Sequence, residues 1–183
     1  DNQRLRVNAA GQSVRSDVDA SNRLTAVYHD AETAPRVKYE YLDAGAAAPA
    51  DGITANRYAR AWRVTDELGT IVLQYDDAGR TTSSTRTLTA GGAAFTTDTA
   101  YDALGRVTSV VHPATSSGGA RRSVSYSYGA DGRLTAASGV VTSAAYDLYG
   151  RMTNVVYANG ASTLIDYAPA GGGMTRVRAL DAT

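Results

Sequence analysis

Two histidines, His29 and His112, are all that this 183-residue chain offers to nucleophilic catalysis of the serine–histidine–aspartate kind. His112 precedes Pro113 in what reads as an edge loop, and His29 stands beside Asp30, so both are loop or turn residues with little converging on them. The pair Asp76-Asp77 has the composition of a glycosidase acid–base couple. Neighbours on an extended strand point to opposite faces, however, and Asp76 is needed by a turn. Gly171-Gly172-Gly173 is followed by neither the Lys-Ser/Thr of a phosphate loop nor a helical pattern, and reads as a flexible turn. Arg121-Arg122 reads as two surface arginines opening a strand. Cysteine is absent, which excludes thiol chemistry, Cys-type zinc sites and disulfides. The expectation is a chain with no catalytic residue, no cofactor and no metal, and not an enzyme.

The residues that do recur are tyrosines. Tyr41, Tyr75, Tyr101, Tyr128, Tyr146 and Tyr167 each stand four places before a glycine, respectively Gly45, Gly79, Gly105, Gly132, Gly150 and Gly171. Three of them are followed by aspartate (Asp76, Asp102, Asp147), and four of the glycines by arginine (Arg80, Arg106, Arg133, Arg151). A degenerate copy, Asp19-Ala-Ser-Asn22-Arg23, puts asparagine in the glycine place, as the residue that best tolerates positive φ after glycine. Such a pattern needs no active site to explain it. A strand runs into Tyr, an Asp-x-x-Gly loop of four or five residues built on a type I turn reverses the chain, and a second strand leaves through Arg.

The flanks alternate with period two: Val124, Tyr126 and Tyr128 fall on one face, as do Ile71, Leu73 and Tyr75, and Thr163, Ile165 and Tyr167. The opposite ends of these strands have turns of their own. Asn159-Gly160 predicts a type I′ turn, and Ala90-Gly91-Gly92 and the stretch 112–119 predict looser ones. Hairpin after hairpin gives an all-β antiparallel meander. The signature glycines are spaced unevenly, from 18 to 34 residues apart, which suits strands of varying length in a rolled sheet better than identical propeller blades. No stretch carries a sustained helical period, and the Ala/Pro/Gly-rich 44–52 reads as an inserted loop. Two stretches are expected: 1–61 with degenerate repeats, and 62–183 with clear ones.

Hydrophobic residues make up 43%, but that total leans on Ala and Tyr, with Phe and Trp present once each, so little can fill a compact core. Eighteen basic and eighteen acidic residues cancel, Lys38 is the lone lysine, and no basic face is offered to nucleic acid. No stretch approaches the roughly 20 apolar residues of a membrane helix. The chain starts and stops inside repeat-like text, and is expected to be an excerpt of one larger repeat domain.

Tyr101-Asp-Ala-Leu-Gly-Arg-Val-Thr-Ser-Val and Tyr146-Asp-Leu-Tyr-Gly-Arg-Met-Thr-Asn-Val-Val-Tyr-Ala-Asn-Gly resemble the YD repeat of Rhs proteins, of insecticidal toxin complex B and C subunits, of wall-associated proteins and of teneurins. The resemblance is specific over about 62–171, with departures at Ala158, where Pro is usual, and at Gly129, where Asp is usual. It implies a sheet spiralling into a hollow shell that, in the bacterial toxins, encloses a C-terminal effector. It also implies a core domain with a self-cleaving Asp-Pro site, and none of Pro35, Pro49, Pro113 or Pro169 follows an aspartate here. The function implied is that of shell wall in a secreted or surface-delivered bacterial protein, with neighbouring repeats and an enclosed effector polypeptide as partners. The alternative is an extracellular adhesive surface that binds glycans through its tyrosines.

Overall fold

The computed structural model describes residues 2–49, 51–116, 118–169 and 171–182; Asp1, Ala50, Ser117, Ala170 and Thr183, which fall in loops and ends named above, lie outside the described residues. All regular structure among the described residues is β-strand, as the period-two text requires.

The chain divides into two compact units, Asp1–Asp98 with His112–Gly119, and Thr99–Val111 with Ala120–Thr183. The first unit contains β1 (Asn2–Val7), β2 (Ser13–Val18), β3 (Leu24–His29), β4 (Val37–Tyr41), β5 (Ala61–Asp66), β6 (Gly69–Tyr75), β7 (Thr81–Leu88) and most of β8 (Ala94–Tyr101). The second contains β9 (Val107–Val111), β10 (Ser123–Tyr128), β11 (Leu134–Ala137), β12 (Val141–Tyr146), β13 (Met152–Tyr157), β14 (Ser162–Tyr167) and β15 (Met174–Leu180). Within each unit every strand pairs antiparallel with its neighbour in chain order, which is a meander.

Burial follows the pleat most cleanly in β10, where Val124, Tyr126 and Tyr128 are covered while Ser123, Ser125 and Ser127 are exposed. Among the described residues the buried apolar set is small: Ala26, Leu42, Val124, Ala137 and Val155. A meander with so few covered apolar side chains draws its order from ladder hydrogen bonds and from contacts between neighbouring hairpins rather than from a two-layer core.

The register of the signature hairpins is not plain. It shifts immediately before Val18, Tyr41, Tyr75, Tyr128, Tyr146 and Tyr167, so that Tyr75 faces Thr81 while Gln74 faces Ser83, leaving Thr82 over. The residue left over is Thr25, Trp62, Thr82, Thr135, Thr153 or Thr175 in turn. Each is a β-bulge on the returning strand, which sharpens the local twist and re-aims the side chains beside it. The Thr25 hydroxyl donates to the Asp17 carbonyl across its bulge, at 3.2 Å.

Candidate functional site

The feature that repeats with chemical detail is the turn, and the turn at 102–106 shows its construction. The Gly105 amide donates to the Asp102 carbonyl at 3.0 Å, and the Asp102 amide to the Arg106 carbonyl at 2.9 Å. Of the three residues between them only Gly105 has positive φ, at 83°. This is a type I turn closed by a left-handed glycine, with a loop of three residues rather than the four or five expected. The same pair of backbone bonds closes 19–23, 76–80, 129–133 and 147–151, with Asn22 at φ 61° in the glycine place of the first. Asn159-Gly160 has this geometry too, with φ positive at Gly160 and not at Asn159, so the type I′ expectation is corrected. The Asn159 carboxamide oxygen accepts the Ala161 amide at 3.1 Å, a bond that favours the three-residue loop over the two-residue one.

Aspartate and arginine are coupled in a way the spacing alone did not disclose. In 147–151 one carboxylate oxygen of Asp147 accepts the Tyr149 and Arg151 amides, both at 2.9 Å, and the other accepts Nε of Arg151 at 2.7 Å. Asp19 holds Nε of Arg23, Asp76 that of Arg80 and Asp102 that of Arg106, at 2.6 to 2.7 Å. All four carboxyl groups lie below the usual carboxylate range. For Asp19 and Asp76 the arginine backbone amide is the main cause. For Asp102 and Asp147 burial pushes upward, and the hydrogen bonds from Arg106 and Arg151 outweigh it.

The arginine so held faces the next signature. Arg23 lies 4.5 Å from the ring centre of Tyr41, Arg106 4.6 Å from Tyr128, and Arg151 4.2 Å from Tyr167. Each of these tyrosines then donates its hydroxyl to the carbonyl that follows the same arginine. Tyr41 reaches Leu24 at 2.9 Å, Tyr128 reaches Val107 at 2.7 Å and Tyr167 reaches Met152 at 2.9 Å. Tyr75 and Tyr146 do the same to Ala61 at 2.5 Å and Leu134 at 2.9 Å. One turn is thus latched to the next by a cation–π contact and a hydrogen bond to a main-chain carbonyl.

Where the aspartate is missing, the stacking loosens. Gly129 replaces it in 129–133, and Asp131 takes over, accepting the Arg133 amide at 3.1 Å and its Nη1, rather than Nε, at 2.5 Å. Arg133 then lies 5.7 Å from the Tyr146 ring. After Tyr41 the Tyr-x-x-x-Gly text does not close the hairpin at all. Gly45 has φ 82°, but the loop runs on to Arg60, with Ala59 left-handed at φ 60° in the place glycine holds elsewhere. Arg60 lies 5.8 Å from the Tyr75 ring. Both loosened guanidinium groups slide against the glycine of the following turn, where a Cβ on Gly79 or Gly150 would collide with them. A side chain at either position would be strained by its φ and would also push the arginine aside.

The loop 42–60 is organised by a residue that the sequence did not single out. Arg57 is fully buried, with Nε donating to the Leu73 carbonyl at 3.1 Å and Nη1 to Asp51 and the Ile53 carbonyl, each at 2.8 Å, while Trp62 lies 5.1 Å away. The Arg57 hydrogen bond lowers the Asp51 carboxyl from its ordinary value. Asn56 donates to the Tyr75 carbonyl and to Asp77. The inserted segment therefore extends past 52, because its anchor lies five residues beyond.

The last signature lacks both clamp residues: the Ala168 amide donates to the Gly173 carbonyl at 3.0 Å, Gly171 has φ 80°, and Arg151 reaches in to the Gly172 carbonyl at 2.5 Å. His29 ends β3, its amide donating to Glu32, and Arg121 donates to the Val111 carbonyl. Among the described residues no group of three His, Cys, Asp or Glu could hold a metal ion, and no helix is long and apolar enough to cross a membrane.

These linked Tyr-Asp-x-x-Gly-Arg hairpins define a repeating antiparallel meander. Residues 101–139, which hold the turns 102–106 and 129–133, match the family model described as RHS Repeat. Comparison with curated proteins found no match. The crystal structure of TcdB2-TccC3-Cdc42 is similar at TM-score 0.74 and 17% identity over 96% of this chain, and that of TcdB2-TccC3 at 0.75 and 16% over 96%. The Tc holotoxin pore of Photorhabdus luminescens is similar at 0.70 and 18% over 96%. The fold of this chain is that of a stretch of those structures, and it spans 9% to 10% of the chains it matches.

Proposed function

We propose that this chain is a non-catalytic wall segment of an RHS-type shell, in a secreted or surface-delivered bacterial protein, and that the shell encloses an effector polypeptide. The stretches 1–61 and 62–183 would then be one wall, the first carrying the insertion. The observation that carries this reading is the latch. Successive turns are fastened to one another through Arg, Tyr and a main-chain carbonyl, which is what a thin sheet needs to hold its form without a second layer. The turn aspartates and arginines are each spent on a neighbour, which argues against a catalytic use.

The adhesive alternative rests on Tyr149 and Tyr58, which are 65% and 52% exposed. The five latched tyrosines are part-buried with their hydroxyls engaged, so a glycan would find isolated rings rather than a row. Protease protection tests the enclosure. In a protein carrying this wall, polypeptide beyond the repeats should survive a protease that digests it once denaturant opens the sheet. Equal digestion in both states overturns enclosure, and binding on a glycan array that is lost with Tyr149→Ala would favour adhesion.

A further inference from the structure

The latches are unequal, and three independent features converge on one weak place. The turn 129–133 has lost the carboxylate that clamps Nε, and its substitute Asp131 is 49% exposed, against 21% for Asp147 and Asp102. The strand that follows, β11, has four residues, the shortest in the chain among the described residues. Its register with β12 consists of one pair, Ala137 with Val141, where β12 and β13 share five. Side-chain bonds also reach its two ends. The Tyr146 hydroxyl holds the Leu134 carbonyl, and Ser138 exchanges two bonds of 2.8 Å with the Ser125 backbone.

We propose that β11 with the turn 129–133 is a built-in opening point of the second unit, where the sheet parts before any neighbouring hairpin does. Local opening free energy follows the hydrogen bonds and contacts that must be broken together. At β13 these include an Nε-clamped turn, a 4.2 Å stack and a six-residue strand. At β11 each is reduced. The opening exposes the free ladder groups of β10 and β12 on either side of a gap, the arrangement into which an extended polypeptide can insert by strand addition. This inference concerns the sheet alone and stands whether or not a shell encloses anything.

Hydrogen exchange of the whole chain, read by mass spectrometry, tests it. Amides of 134–137 should exchange at least about tenfold faster than those of 152–157, as expected where opening is local. The paired change Gly129→Asp with Asp131→Ala moves the carboxylate to the position it has in 147–151, and should slow exchange at 134–137 several-fold while leaving 152–157 unchanged. A single Asp131→Ala should accelerate 134–137 selectively. Equal protection of β11 and β13 in the unaltered chain overturns the proposal. So does indifference of β11 to both variants when their circular dichroism matches the parent.

Discussion

The hairpin closed by 147–151 and the one closed by 42–60 solve one problem by opposite means. Both must bring an arginine out of the turn and against the tyrosine of the following hairpin. The first does it with three loop residues, one glycine and one carboxylate. The second uses a long loop, in which a fully buried Arg57 replaces the carboxylate as organiser and Ala59 replaces the glycine. What the two share is neither loop length nor residue type but the product: an arginine near the next ring, and a tyrosine hydroxyl on the carbonyl after that arginine. The difference shows in the distance, 4.2 Å with the clamp and 5.8 Å without it. The aspartate therefore does more than stabilise its own turn, since fixing Nε holds the guanidinium closer to the neighbouring ring.

The largest effect is expected at Arg57. Arg57→Ala removes hydrogen bonds to Leu73, Ile53 and Asp51 and leaves a hole beside Trp62, and should cost about 2–4 kcal/mol in a denaturant melt. A loss below about 1 kcal/mol would mean that the loop is held by something else, and that Arg57 is not the counterpart of Asp147. Next in size is Gly105→Val. Left-handed backbone costs an ordinary residue roughly 1–2 kcal/mol, and β-branching adds a clash. Gly105→Asn should be much milder, as Asn22 stands in the same place of the first turn at φ 61°. Equal thermal shifts from Val and Asn would dispose of the turn assignment.

A smaller effect of opposite sign is expected at Ala59. It is exposed and left-handed, so Ala59→Gly relieves strain that Gly150 never has, offset in part by the entropy glycine loses on folding. The net gain should be about 0.5–1 kcal/mol. Destabilisation would show that the Ala59 methyl packs in a way its exposure hides.

Much of this was legible in the residues. The tyrosine-to-glycine spacing and the period-two flanks located the strands and the glycine side of every signature turn except the one after Tyr41, because positive φ restricts residue choice so sharply. The latch was not legible, since it joins residues of different hairpins: Arg106 meets Tyr128, and nothing in either signature says that the next one completes it. Two signals were nevertheless present in the sequence. Threonine stands two places after arginine at Thr25, Thr82, Thr108, Thr135 and Thr153, and four of these are bulge residues. Asp131 falls in the one tight signature that lacks its usual aspartate, where a compensating carboxylate was to be sought. Arg57 had no signal, because one arginine in a polar loop looks like any other until the loop folds over it.

The smallest effect comes from acid, and it decides whether the aspartate clamp is the true difference between the two kinds of turn. The carboxyl of Asp147 is held below its ordinary value when folded, although burial pushes it the other way, because it accepts hydrogen bonds from Arg151. A group with a depressed folded pKa binds its proton more readily in the unfolded chain. Its stabilisation is therefore fully present above the unfolded value near pH 4, and is lost as pH falls through the folded value. Asp147→Asn keeps the shape of the side chain and removes the charge, so it imitates the protonated state at every pH. The melting temperatures of the parent and this variant should differ by a constant amount from neutrality down to about pH 4, then converge as the parent's clamp is protonated. If the gap for Asp147→Asn persists undiminished at pH 2, the carboxylate acts through its shape and its amide bonds alone, and the closer stacking of Arg151 needs another cause.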